Sequence, residues 1–301
     1  MIRRAGIAAP ILLAILAAPA ASGSGTIETD AFDEVGRVVD SLAGIHGPGG
    51  VLLVFDLDNT LLAMDDPLGS PQWFDWQDSL ITADSDSPLR AREDFRGLLD
   101  LQGLIFALGG MHATEADLPA RIAGWQEAGH DCMVLSSREP SFDDATLREL
   151  DAAGMDFSAS TPDAGCSFGG VLLPYAPEDV PASGLTPAEA SAFGLGPPRE
   201  VRYESGVLSV AGQHKGAMLL ILLAHSARYY PAVVFVDDEA VNVERVYAAL
   251  SGRGIGIAAF RYGGEDPVVA AFDSTEKEDA AGRLAILEQV LEAVFPEPSG
   301  G

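Results

Sequence analysis

Val51-Leu-Leu-Val-Phe-Asp-Leu-Asp-Asn-Thr60 is the stretch of sequence that best indicates the fold of this chain. Five consecutive apolar residues followed by polar ones are typical of a strand in the interior of a parallel sheet. Open α/β sheets bind their ligands at the carboxyl ends of such strands. Because side chains alternate along an extended chain, Asp56 and Asp58 point the same way. Two carboxylates so placed repel each other unless a cation or a shared proton lies between them.

The composition predicts a globular protein with a strongly acidic surface. The chain has 301 residues, of which 48% are hydrophobic and 21% are charged, and this length allows one large domain. It has 45 acidic and 18 basic residues, a formal net charge of −27, and its only lysines are Lys215 and Lys277. Such a charge repels nucleic acids and anionic lipid headgroups, so neither is expected as a partner. An anionic substrate would need a local positive centre, and we expect a metal ion with a few basic side chains.

The amino-terminal segment resembles a secretory signal peptide. Residues 1–21 combine Arg3 and Arg4 with an apolar stretch and then small residues. The apolar stretch is shorter than a membrane span and contains Pro10, which disfavours the alternative of an uncleaved anchor. We therefore expect export to the periplasm or the extracellular space, with no membrane attachment after cleavage. Loss of the two arginines would change the formal charge from −27 to −29.

Two further apolar segments end at polar residues in the same way. Residues 132–135 lead into Ser136, and residues 233–236 lead into Asp237 and Asp238. Segments with a helical spacing of apolar residues lie between the strands. This alternation predicts an α/β protein with a three-layer Rossmann-like fold, a parallel sheet and helices on both faces. The polar residues that follow the strands should therefore meet at one edge of the sheet.

Other secondary structure follows from the same periodicity. Gly and Ser between two short apolar runs predict a hairpin turn at 204–206, and a fourth strand is predicted over 255–260. The predicted helices cover residues 30–42, 88–107, 114–128, 141–153, 214–225, 242–250 and 275–295.

The predicted single domain, residues 26–301, contains two stretches of different character. A helical insertion covers about 65–111, and a Gly-, Pro- and Ser-rich insertion covers about 156–212. Both are expected to act as cap segments beside the sheet edge. In a loop of the first insertion, Trp73 and Trp76 could line a substrate pocket or cover the core. Neither insertion has a recognisable substrate-binding motif, and no sequence feature indicates an oligomeric state.

The ordered set of motifs resembles the haloacid dehalogenase (HAD) superfamily of phosphatases. Asp56-Leu-Asp58-Asn-Thr60, Ser136, Lys215 and Asp237-Asp238 stand in the order of the four sequence motifs of that superfamily. The resemblance covers residues from about 50 to about 260 and is specific for the superfamily rather than for a substrate. The signal segment and the Ser-Gly-rich insertion also resemble a poorly characterised group of exported bacterial HAD-like proteins.

The resemblance implies a role for each residue of these motifs. Asp56 is the expected nucleophile that carries a transient aspartyl phosphate. Asp58 is the expected general acid and general base. Ser136, Lys215 and Asn59 are expected to bind the phosphate group of the substrate.

The same resemblance implies Mg²⁺ as the cofactor. The expected metal ligands are Asp56, the main-chain carbonyl of Asp58, and Asp237. Oxygen ligands are those that a small hard cation prefers. Asp238 and Asn242 are expected to orient these groups without contacting the substrate.

Each motif taken alone has an ordinary structural explanation. An Asp-x-Asp-x-Thr sequence can cap a turn, and Ser136 can cap the end of a strand. Lys215 can be a solvated helix residue, and Asp237-Asp238 can cap the next helix. Four such signals at the ends of strands in one sheet have no common structural reason. We therefore predict an exported Mg²⁺-dependent hydrolase that acts on small phosphomonoesters.

Other functions on the same scaffold are a phosphotransferase and a non-catalytic exported binding protein. A haloacid dehalogenase is disfavoured, because that chemistry does not need Asp58. Arg138 could hold a substrate or form a surface ion pair. Cys132 and Cys166 could form a disulfide in an oxidising compartment, or Cys132 could be a buried free thiol. His214, next to Lys215, has no assigned role.

Overall fold

The computed structural model describes residues 25–163 and 170–295 of the chain. Its strands are β1 (Thr26–Thr29), β2 (Val51–Phe55), β3 (Leu62–Met64), β4 (Met111–Ala113), β5 (Asp131–Ser136), β6 (Gly170–Leu172), β7 (Val201–Glu204), β8 (Val207–Ser209), β9 (Ala232–Asp237) and β10 (Gly256–Tyr262). Its α-helices are α1 (Phe32–His46), α2 (Pro71–Thr82), α3 (Phe95–Leu108), α4 (Leu118–Glu127), α5 (Asp143–Ala152), α6 (Pro187–Ala192), α7 (Lys215–His225), α8 (Ala240–Gly252), α9 (Asp266–Ala271) and α10 (Lys277–Val294).

An eight-stranded sheet forms the centre of the molecule, in the order β1-β10-β9-β2-β5-β8-β7-β6. The six strands from β1 to β8 in this order are parallel to one another, whereas β7 and β6 add an antiparallel edge. A separate antiparallel pair, β3 and β4, lies outside this sheet. The predicted α/β fold with a mainly parallel sheet is confirmed.

Helices cover both faces of the sheet, because alternate residues of the central strands enter different hydrophobic cores. Leu52 and Val54 pack in a core that includes buried residues of α7 and α8. Leu53 and Phe55 pack in a second core with buried residues of α1 and α4. Every residue of β2 is buried. A strand covered on both faces must be apolar throughout, which explains the run of apolar residues before Asp56.

The region around the two tryptophans is helical, so the expectation of a loop there was wrong. The Ser70 hydroxyl accepts a hydrogen bond from the main-chain NH of Trp73, and Pro71 occupies the first turn, so this pair starts α2. Trp73 is fully buried, and Trp76 packs edge-on against Phe272. The interpretation that these side chains cover the core is therefore correct.

The Gly-, Pro- and Ser-rich stretch extends the central sheet. It contributes β6, β7 and β8, and β8 pairs in parallel with β5. The predicted hairpin joins β7 to β8 through Ser205 and Gly206, whose φ angles are 50° and 79°. Positive φ at both central positions is the conformation of the type I′ turn, one of the two common two-residue hairpin turns. Main-chain pairing therefore fixes this stretch beside the end of β5.

Two expectations concern residues outside the described ranges. The signal peptide predicted over 1–21 lies there, and so does Cys166, one partner of the candidate disulfide. Cys132 is buried in β5. Among the described residues, no helix has both the length and the apolar character that crossing a membrane requires.

Candidate functional site at the carboxyl edge of the sheet

The parallel register places two aspartates side by side at the edge of the sheet. Phe55 pairs with Val236, so that Asp56, which follows β2, lies beside Asp237 at the end of β9. The main-chain NH of Asp56 donates to the carbonyl of Val236 at 2.8 Å and continues the pairing to the edge. Both aspartates are buried, and Asp237 is fully inaccessible to solvent. Burial of two neighbouring carboxylates requires a compensating positive charge.

Lys215 supplies that charge. Its Nζ lies 2.5 Å from Oδ1 of Asp56 and 2.6 Å from Oδ2 of Asp237, and the lysine is only 1% exposed. Lys215 is the first residue of α7, and the Nδ1 atom of His214 accepts a hydrogen bond from the main-chain NH of Ala217. His214, which had no role from sequence, therefore caps the helix that positions the lysine.

Asp238 joins the two aspartates in a group that could hold a metal ion. One carboxylate oxygen from each of Asp56, Asp237 and Asp238 lies within 4.8 Å of the others. Loss of hydration and the charge of Asp237 raise the pKa of Asp56 to about 7, although Lys215 opposes this shift. The pKa of Asp238 is also raised well above its ordinary value, first by loss of hydration and then by the charge of Asp56. A divalent cation would relieve this repulsion.

The carboxylate of Asp237 is fixed by neighbours on α8 and the turn before it. Its Oδ1 accepts from the main-chain NH of Glu239 at 2.9 Å and from Nδ2 of Asn242 at 3.3 Å. The orienting role expected for Asn242 agrees with this contact. Asp238 was expected to orient the metal ligands. In the structure its own carboxylate belongs to the cluster of candidate ligands.

Asp58 lies at the same edge, but its side chain is paired with Arg138. The guanidinium donates from Nε to Oδ2 at 2.9 Å and from Nη2 to Oδ1 at 2.7 Å. It also donates from Nη1 to the Thr146 hydroxyl and stacks over the Phe106 ring at 3.8 Å from the centroid. Arg138 is 6% exposed, so the interpretation as a surface ion pair was wrong. A bidentate pair of this type fixes the orientation of both groups.

A cavity of about 410 Å³ opens above the aspartates. Asp56, Asp58 and Asp238 contribute to its lining. The helical insertion supplies much of the wall through α2 and α3, and most of the side chains on this wall are apolar. The residues of α2 and α3 that line the cavity are Pro71, Phe74, Asp75, Phe95, Leu99, Gln102 and Phe106.

The three residues predicted to bind phosphate, Ser136, Asn59 and Lys215, do not line this cavity in the described structure. Ser136 is fully buried, and its hydroxyl accepts from the main-chain NH of Arg138 at 3.1 Å. Asn59 adopts a φ of 54° in the turn after β2, and its Nδ2 donates to Oε1 of Gln72 at 3.4 Å. The neighbouring Ser137 does line the cavity. The geometry therefore gives Ser136 and Asn59 turn-stabilising contacts, and Ser137 is the serine that lines the cavity.

Fold and site together define a three-layer α/β protein with a carboxylate cluster and a buried lysine below a cavity at the carboxyl edge of its sheet. A family model described as "Protein of unknown function (DUF2608)" matches residues 28–292, and the chain belongs to this family. No curated protein matches the chain. The matched range includes every residue of the site, so the cavity is part of the family domain.

Proposed function

We propose that the protein is a Mg²⁺-dependent hydrolase of small phosphomonoesters with Asp56 as its nucleophile. The main support is the convergence of Asp56, Asp237 and Asp238 at one point, with the amine of Lys215 in contact with two of them. The motifs that carry these residues also resemble those of HAD phosphatases. A cavity above the cluster gives a small phosphate ester access to Asp56.

The donor set suits Mg²⁺. Asp56, Asp237 and Asp238 offer oxygen atoms only, and their mutual repulsion disfavours the ionised cluster without a cation. The main-chain carbonyl of Asp58 remains part of the proposed ligand set. When bound, Mg²⁺ would neutralise negative charge on the oxygens of the phosphoryl group.

In the first step, a carboxylate oxygen of Asp56 attacks phosphorus, and the bond from phosphorus to the ester oxygen breaks. Lys215 contacts Oδ1 of Asp56, which fixes the carboxylate and leaves Oδ2 as the oxygen that attacks. Asp58 donates a proton to the departing oxygen as the alcohol leaves. The pair with Arg138 holds Asp58 at the cavity wall as a carboxylate, so the pair must open and Asp58 must take a proton from solvent before the first turnover.

In the second step, Asp58 takes a proton from a water molecule as the water oxygen attacks phosphorus. The bond from phosphorus to Asp56 breaks, inorganic phosphate leaves, and both aspartates return to their starting states. The amine of Lys215 stays positive throughout and stabilises the negative charge on the phosphoryl oxygens and on Asp56.

Hydrolysis of phenyl phosphate tests the proposal. We expect Mg²⁺-dependent release of phosphate that stops on chelation and falls about a thousandfold or more in Asp56→Asn. Asp40→Asn, the same chemical change on the exposed side of α1, should retain activity. Activity that survives in D56N would refute the role of Asp56 as the nucleophile. Transfer of phosphate to added glycerol would indicate a phosphotransferase, and Mg²⁺ binding without turnover would indicate a binding protein.

Export is also part of the proposal, and it rests on the composition of residues 1–21. The full chain expressed in a bacterium with an outer membrane should appear in the periplasmic fraction without this segment. Intact mass spectrometry of the recovered protein measures the cleavage. A cytoplasmic protein of unchanged mass would contradict the expectation.

A further inference from the structure

The cavity has two cationic lining residues, Arg138 and Arg199, and they differ in how they are engaged. Arg138 uses its guanidinium on Asp58 and Thr146. The guanidinium of Arg199 makes no ion pair and no hydrogen bond with any residue in the ranges that the structure describes. It is therefore the cation of this cavity that is available to a ligand.

The position of Arg199 is fixed although its side chain is exposed. The amide of Gln213, a residue only 8% exposed, accepts from the main-chain NH of Arg199 and donates to its carbonyl, both at 3.0 Å. The guanidinium lies over Gly212, where a Cβ atom would be 3.6 Å from Nη2 of Arg199. Gly212 itself lines the cavity. The contacts with Gln213 thus hold the main chain of Arg199 beside the cavity wall.

Depth separates Arg199 from the reacting group. Both residues line the cavity, but Asp56 is only 6% exposed whereas Arg199 is exposed, so we assign Asp56 to the floor and Arg199 to the mouth. A substrate whose phosphoryl group contacts Asp56 would extend its leaving group along this cavity, whose lining includes Phe74, Phe95 and Arg199. Aromatic side chains there favour an apolar or aromatic leaving group.

We propose that Arg199 determines specificity by binding an anionic group on the leaving group of the substrate. The substrate class is then a phosphomonoester whose aromatic or apolar leaving group carries a second negative charge. This inference rests on the proposed hydrolase function. A planar guanidinium suits a carboxylate or a second phosphate. Because Glu139 and Glu239 also line the cavity, an anion at the mouth needs this arginine.

The test compares phenyl phosphate with 4-carboxyphenyl phosphate, which differ by one carboxylate. We expect the protein to hydrolyse the carboxylated ester with a kcat/KM about tenfold higher, the value of one charge-assisted hydrogen bond. Arg199→Ala should abolish this preference and leave phenyl phosphate within about twofold of the unaltered protein. Arg96→Ala is the matched control, because Arg96 lies on α3 between two lining residues but pairs with Asp100 outside the cavity.

Two results would overturn the inference: a preference that persists in R199A, or an equal loss on both esters. An equal loss on both esters would mean that Arg199 contacts the phosphoryl group or stabilises the folded protein. Calorimetry distinguishes failure of this inference from failure of the hydrolase proposal. It measures the binding of phenylphosphonate and 4-carboxyphenylphosphonate in the presence of Mg²⁺. An Arg199-dependent preference in binding without hydrolysis would support Arg199 and refute the hydrolase. Hydrolysis without the preference would support the hydrolase and refute the role of Arg199. Absence of hydrolysis and of the preference would refute both proposals.

Discussion

Single side chains in this site are held by partners that are remote in sequence. Asp58 and Arg138 are 80 residues apart, yet two hydrogen bonds join them. A local motif can identify Asp58 as a candidate catalytic group, but it carries no information about the residue that orients it. The same holds for Lys215, whose sequence position predicted a contact with phosphate and whose amine lies between Asp56 and Asp237.

Arg138→Lys tests whether this orientation matters. Lysine keeps the positive charge but cannot donate two parallel hydrogen bonds to a carboxylate. We expect kcat for phenyl phosphate to fall about tenfold, since one charge-assisted hydrogen bond is lost, with little change in KM. Arg148→Lys is the control, because Arg148 pairs with Glu149 away from the cavity. An unchanged kcat in R138K would mean that Asp58 does not depend on the bidentate contact.

Asp143 provides a prediction about stability and pH. It is 4% exposed, and burial raises its pKa to about 6, although the hydroxyl of Ser209 and the charge of Arg202 oppose the shift. The folded state therefore holds this proton more tightly than the unfolded state. This group lowers the free energy of unfolding as pH rises from about 4 to about 6, and the loss persists above that range.

Asp143→Asn should remove this dependence. We expect little effect near pH 4 and a gain of about 3 kcal/mol in the free energy of unfolding at pH 8, from a shift of about two pKa units. Urea unfolding at both pH values measures the difference. Asp144→Asn, the exposed neighbour on α5, should show no such pH-dependent gain. A loss of stability at pH 8 in D143N would show that the contact with Ser209 outweighs the burial of charge.

Secondary-structure elements were predictable where burial forces a simple pattern. The uniform apolar run gave the bounds of β2 because both faces of that strand are covered. The start of α2 was missed although Ser70 and Pro71 signal it, because the polar and aromatic composition suggested a loop. β1 has only four residues and mixed burial, and it exists because it pairs with β10 at the sheet edge. Such a strand is fixed by a remote partner and has little local signal.

The packing of α7 against α8 sets the position of Lys215. A Cβ atom on Gly216 would lie 2.5 Å from the carbonyl oxygen of Arg245 and 2.8 Å from Cβ of Ala249. Gly216→Ala should therefore push the helices apart, lower the free energy of unfolding by about 1–3 kcal/mol and reduce activity by displacing the lysine. Urea unfolding and phosphate release measure the two effects.

Gly282→Ala is the matched control, because the corresponding space on α10 has no atom within 4 Å. That change should raise the free energy of unfolding by up to about 1 kcal/mol through helix propensity. If both substitutions stabilise the protein, the two helices tolerate a larger separation and the close approach at Gly216 does not position Lys215.

The whole molecule has a negative electrostatic potential, although its site is proposed to bind anions. The net charge of −27 was evident from sequence, and so was the need for a local positive centre. The shape of the site was not evident from sequence, because the cavity walls come from α2, α3 and the turn at Gly212, which meet only in the folded chain. Local motifs thus predicted the acidic residues and the lysine that come together, and tertiary packing determined which of the predicted residues line the cavity.

This negative potential predicts an unusual response to salt. Association of a cationic site with an anion weakens as ionic strength rises, but a protein of charge −27 repels phenyl phosphate over a longer range than its local site attracts it. Screening over about 10 Å at 0.1 M salt should reduce the repulsion more than the contacts at the floor of the cavity. We expect kcat/KM to rise severalfold between about 10 and about 200 mM NaCl, with Mg²⁺ kept saturating because salt weakens its binding. Steady-state kinetics across this range measures the effect. A steady fall in kcat/KM would mean that Lys215, Arg199 and the bound metal dominate the potential that a substrate meets.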